Sequence, residues 1–129
     1  MQRWKNATLT VAALVLAVAS ADCCGAPPPA TTQVSVVDAG TGMTIASPTF
    51  AIGAQPLSEG NGSGYWCAIA GVKPCNSWFV EVGFPGTKML TVGATGYTSQ
   101  TISVVVVATG GGLGCSDYVA SPNQATVKL

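Results

Sequence analysis

Residues 84–106 read FPGTKMLTVGATGYTSQTISVVV, and two runs of period two within them decide the fold. In KMLTVGA, Leu90, Val92 and Ala94 fall on one face, with Thr91 and Gly93 on the other. In QTISVVVV, Ile102, Val104 and Val106 repeat the arrangement. Successive side chains of a strand point to opposite faces, so each run describes a half-buried strand. Pro85-Gly86 before the first run and Thr95-Gly96 between the two mark places where the chain must turn.

The same period extends in both directions. QVSVV (33–37) places Val34 and Val36 together, with Gln33 and Ser35 pointing away, and DAGTG (38–42) is a turn. MTIA and TFAIG are short strand-like pieces around Pro48, and SEGNGSG (58–64) is a glycine-rich loop. YWCAI (65–69) is a strand, and AGVKPCNS (70–77) an excursion. WFVEVGF (78–84) sets Phe79 and Glu81 opposite Val80, Val82 and Phe84. TGGGLGCSD (109–117) reads as a loop, and ATVKL closes the chain with Val127 and Leu129 inward. About seven short strands at regular spacing, with no long helical period, predict an all-β, antiparallel Greek-key β-sandwich. The valine run 104–107 is expected mid-sheet as the least exposed strand.

The first residues have a different character. Arg3 and Lys5 precede the apolar run Ala7–Ala19, and Ala19-Ser20-Ala21 is a small-x-small cleavage pattern. The run is short of the about 20 residues that a membrane-spanning helix needs. Residues 1–21 are therefore expected to be a signal peptide in a helical segment, residues 22–32 a proline-rich tether, and residues 33–129 the β-sandwich domain. Prolines 27–29 favour extended geometry and hold the domain away from the N-terminus.

Charge and composition exclude several functions. After Ala21 the positive groups are Lys73, Lys88 and Lys128, against Asp22, Asp38, Glu59, Glu81 and Asp117. So weakly charged a chain has no footprint for nucleic acid and no basic patch for anionic lipid. There is no histidine, which removes the ordinary Ser-His and Cys-His nucleophile pairs. The five carboxylates form no acid/base pair in sequence, and no cofactor or metal is expected. Aromatic residues offer the candidate binding surface: Tyr65, Trp66 and Trp78, with Phe79, flank the excursion. Alternation should turn one of each adjacent pair outward, where it could meet a sugar or a protein.

Two motifs carry a resemblance. They are V-x-V-x-D-x-x-T-G over Val34–Gly42 and P-G-T-x-x-L-T-V-x-A-x-G-Y over Pro85–Tyr97. With them the chain resembles the carboxypeptidase regulatory-like domains, small transthyretin-like sandwiches often appended to exported bacterial proteins. The resemblance covers roughly residues 33–129 and implies a non-catalytic module. The expectation is an exported structural or interaction module at the cell envelope, and the alternative is a carbohydrate- or protein-binding module that uses the aromatics around the Cys67–Cys75 loop. Tyr97, just past its turn, is expected to bury its ring at a sandwich corner with its hydroxyl reaching backbone.

Five cysteines in a short exported chain point to disulfides. Cys67 and Cys75 are expected to close the excursion, as a staple in preference to a presented loop. Cys24–Cys115 would tie the tether to the sandwich. Cys23 has two fates. Cleavage after Ala21 leaves a free secreted or periplasmic protein with an odd thiol. Processing before Cys23 would lipidate it, make the chain a membrane-anchored lipoprotein and leave an even cysteine count. The cleavage motif favours the first, because Asp22 is a poor residue before a lipidated cysteine.

Overall fold

The computed structural model describes residues 25–60, 62–110 and 115–129. The expected signal peptide, together with Cys23 and Cys24, lies outside the described residues. The described residues are all-β, with no helix. Their strands are β1 (Ala30–Val37), β2 (Thr49–Ile52), β3 (Gln55–Pro56), β4 (Tyr65–Cys67), β5 (Trp78–Gly83), β6 (Gly86–Gly93), β7 (Gln100–Gly110), β8 (Ser116–Ser121) and β9 (Gln124–Lys128).

They form two sheets, of order β4-β5-β1-β9 and β3-β2-β6-β7-β8. Val34 and Val36 of β1, Trp78, Val80 and Val82 of β5, and Val127 of β9 are buried from the first sheet. Phe50 of β2, Leu90 and Val92 of β6, Val104 and Val106 of β7, and Ala120 of β8 are buried from the second. These side chains form one cluster, so the core is the space between two sheets. Burying each large member stabilises the fold by about 1.5–3 kcal/mol, as an upper figure. Thr32 is the one polar residue buried with them among the described residues, and its hydroxyl donates to the Pro122 carbonyl at 2.8 Å. A satisfied donor makes that burial tolerable.

β1 begins at Ala30, inside the segment expected as tether, with Ala30 and Thr32 buried. Four features of strand pairing and alternation also depart from the sequence reading. First, β1 and β9 run parallel, with Val36 opposite Val127, where antiparallel pairing was expected. Parallel neighbours need a long connection, and here nearly the whole domain lies between them. Second, the supposed loop 109–117 contains strand: Thr109 pairs with Asp117 and Gly110 with Ser116, extending β7 and starting β8. Glycine and serine disguised the hairpin because only Ala120 of β8 is deeply buried. Third, Phe84 is 57% exposed instead of lying inward with Val80 and Val82. Gly83 takes φ +98° and ends the alternation, so the Phe84 ring meets Tyr118 edge-on at 5.7 Å on the surface. Fourth, the valine run does lie inside its sheet, but it alternates: Val105 and Val107 are 40% and 48% exposed.

Candidate functional site

β4 and β5 pair so that Tyr65 faces Val80, Trp66 faces Phe79 and Cys67 faces Trp78. Alternation then sorts the aromatics onto two faces. Tyr65 and Trp78 turn inward to Phe50, with ring centroids 4.9 Å (Phe50–Tyr65) and 5.6 Å (Tyr65–Trp78) apart. Burial, followed by the charge of Glu59, raises the Tyr65 phenol above its ordinary 10.0. Trp78 is only 6% exposed and packs in the core, while also lining the groove between the excursion and the glycine-rich loop. The strand register that exposes Phe79 necessarily buries its neighbour. Trp66 and Phe79 turn outward as a half-exposed pair, 5.9 Å between centroids and tilted by 50°.

The excursion 68–77 hangs from the end of this hairpin, and the Cys67–Cys75 disulfide pinches its base. Ala68 N–H adds a hydrogen bond to the Ser77 carbonyl at 2.9 Å. On the other side of β4, the glycine-rich loop folds back against the strand. Gly60 N–H donates to Tyr65 O, Tyr65 N–H to Ser58 O and Glu81 N–H to Gly64 O. Between excursion and loop lies an open groove of about 720 Å³, whose lining includes Trp66, Val72, Pro74, the disulfide, and the charged Glu59 and Lys73.

The outward face of the same sheet continues away from the groove as a row across the strands. Trp66 of β4 lies opposite Phe79 of β5, Phe79 opposite Gln33 of β1, and Gln33 opposite Gln124 of β9. Gln124 Nε2 donates to Gln33 Oε1 at 3.3 Å, and Gln33 Nε2 donates to Ser77 Oγ at 3.0 Å. Beside the amides is a depression of about 330 Å³ lined by Gln33, Ser35, Gln124, Ala125 and Thr126. Gln33 and Gln124 were missed from sequence as site residues. Their outward positions were legible from alternation, but nothing local says that β9 returns beside β1.

Cys115 is disulfide-bonded; the pairing expected for it, with Cys24, lies outside the described residues. Among the described residues the carboxylates lie on separate elements: Asp38 sits in the turn after β1, Glu59 in the groove rim, Glu81 on β5 and Asp117 on β8. No group of three or more metal-ligating side chains occurs among the described residues. Comparison with known protein families, with characterised proteins and with solved structures finds no match to this chain.

Proposed function

We propose that the chain is a non-catalytic, exported interaction module of the cell envelope, built as a transthyretin-like, regulatory-like β-sandwich. The observation that carries this reading is the outward Trp66–Phe79 pair standing beside a groove whose wall is fixed by a disulfide. Half-exposed aromatics on a strand pair are a contact surface prepared before any partner arrives, which lowers the ordering cost of binding. Non-catalytic action is supported by a chain without histidine, whose carboxylates are spread over separate elements.

Export is supported by the signal-like N-terminal sequence and by the Cys67–Cys75 disulfide, which suits an oxidising compartment. The regulatory-like assignment is supported by the meeting of its two motifs, since Asp38 of the first accepts a hydrogen bond from Tyr97 of the second.

Co-sedimentation with the insoluble envelope fraction of an exporting host tests the reading. The full chain is expected to sediment with the fraction, and Trp66→Ala to remain soluble while melting within a few degrees of wild type. Equal sedimentation of both proteins, or none by either, overturns it. Intact mass after reduction and alkylation separates a free N-terminus at Asp22 from a lipidated Cys23.

A further inference from the structure

The geometry points to a neutral polysaccharide chain as the ligand of this module, lying across the strands along the row Trp66–Phe79–Gln33–Gln124. This rests on the interaction-module reading and names its ligand class. The row crosses four adjacent strands, so it is about 14 Å long from the spacing of neighbouring strands. One end is two aromatic rings, and the other is two amides backed by the Ser77 hydroxyl. A pyranose ring has this same division of chemistry. Its axial C–H groups form an apolar face that packs on aromatic rings, and its equatorial hydroxyls both donate and accept hydrogen bonds. Glutamine is matched to such hydroxyls because its amide offers a carbonyl acceptor and two N–H donors.

The amides are also held in place. The chain of hydrogen bonds from Gln124 to Gln33 to Ser77 uses one N–H of each glutamine. It leaves the second N–H of each, together with the Gln124 carbonyl oxygen, outside those two bonds. Side chains ordered in advance lose less freedom when a ligand binds.

Charge selects a neutral glycan. None of the four side chains in the row is ionisable. The charges near the row flank it: Glu81 is two residues along β5 from Phe79, Lys128 is four along β9 from Gln124, and Glu59 and Lys73 line the groove at the Trp66 end as one charge of each sign. A polyuronate passing over Phe79 would meet the Glu81 carboxylate without a compensating cation in the row. A protein partner fits less well. Tight protein contacts centre on fully desolvated aromatic or arginine anchors, whereas this row becomes more polar away from Trp66 and ends in the exposed Gln124.

Affinity electrophoresis of the full chain tests this in native gels cast with hydroxyethylcellulose, galactomannan, arabinoxylan or, as the anionic probe, polygalacturonate. At least one neutral glycan is expected to retard the wild type, and polygalacturonate is expected not to. Phe79→Ala and Trp66→Ala should abolish retardation. Gln124→Ala, at an exposed edge position that leaves the core untouched, should weaken it about tenfold through lost hydrogen bonds. Far-ultraviolet circular dichroism and melting curves establish that each variant is folded.

Absence of retardation by all three neutral glycans overturns the inference. So does retardation that Gln124→Ala and Phe79→Ala leave unchanged, or stronger retardation by polygalacturonate. If glycans fail while Trp66-dependent sedimentation with the envelope persists, the interaction module stands and its ligand is a protein. If both are lost, the module reading fails as well.

Discussion

The Tyr97 hydroxyl donates a hydrogen bond to Asp38 Oδ2 at 2.8 Å, joining turns 59 residues apart in sequence. The other carboxylate oxygen, Oδ1, accepts from the backbone N–H groups of Gly40 and Thr41, each at 2.8 Å. Asp38 thus holds its own turn with one oxygen and the β6–β7 turn with the other. The expectation from sequence was a buried ring with its hydroxyl on backbone; the ring is instead 37% exposed and its partner is a side chain. An ionised carboxylate is the stronger acceptor, which explains the choice.

The bond makes stability depend on pH at both ends. The Thr41 N–H, then the Tyr97 hydroxyl and the Gly40 N–H, hold the Asp38 carboxyl below its ordinary 3.8. A depressed acid contributes stability above its unfolded value and loses it as pH falls through the folded one. Tyr97 is raised above 10.0, first by its bond to Asp38, so its contribution is present below pH 10 and lost as pH rises beyond. Tyr97→Phe should lower the melting temperature slightly at neutral pH and flatten both the alkaline and the acid decline. Asp38→Asn should flatten the acid decline further, because the turn N–H bonds also lose their charged acceptor. Melting curves from pH 2 to 11 check this; a Tyr97→Phe profile parallel to wild type throughout would falsify the linkage.

The disulfide closes a ring between residues separated by 8 positions. The chain-entropy relation gives somewhat less than about 3 kcal/mol for so small a loop. The double variant Cys67→Ser with Cys75→Ser is expected to lose about that much in urea unfolding at an unchanged slope. It should also weaken any ligand that uses the groove, because the wall formed by residues 70–75 is no longer pinned to β4. A midpoint equal to wild type would mean that the disulfide is no staple for this fold.

Gly64 sits at φ +71°, and a Cβ built on it would run into the Ser58 carbonyl. That carbonyl is already taken by Tyr65 N–H, so it is not free to move aside. Gly42 has a similar φ of +73°, yet has open space around the Cβ position. Gly42→Ala should therefore cost only the conformational penalty of about 1–2 kcal/mol. Gly64→Ala should cost more and shift the loop that rims the groove. Equal losses, read by thermal unfolding, would show that the loop yields freely.

Alternation made most of the inward face legible, because Val34, Val36, Leu90, Val92, Val104 and Val106 needed only a period of two to be placed. Strand neighbours were not legible. Whether Gln33 sits beside Gln124 depends on a return of the chain 91 residues later, and no local signal encodes that. Phe84 failed for a smaller reason, since the period was carried one residue past Gly83, whose positive φ breaks it. The aromatic site was half legible: one of each adjacent pair turns outward, but sequence alone could not say which. The partner strand and the core between the sheets decide that.

The two tryptophans of this hairpin should behave as opposites, and the contrast separates site from core. Trp78 fills space among Phe50, Tyr65 and the valines, so Trp78→Ala leaves a cavity and should cost about 3–5 kcal/mol. For a domain of this size that lowers the melting temperature by more than about 10 °C. Trp66 loses mainly its cross-strand contact with Phe79, and such a pair contributes roughly 0.2–1 kcal/mol. Trp66→Ala should thus melt within a few degrees of wild type while losing the binding face. In protein cut after Ala21, which lacks Trp4, acrylamide should quench Trp66 readily in the Trp78→Phe variant and quench Trp78 poorly in the Trp66→Phe variant. If Trp66→Ala proves the more damaging to stability, the assignment of faces is reversed, and with it the surface on which any ligand must lie.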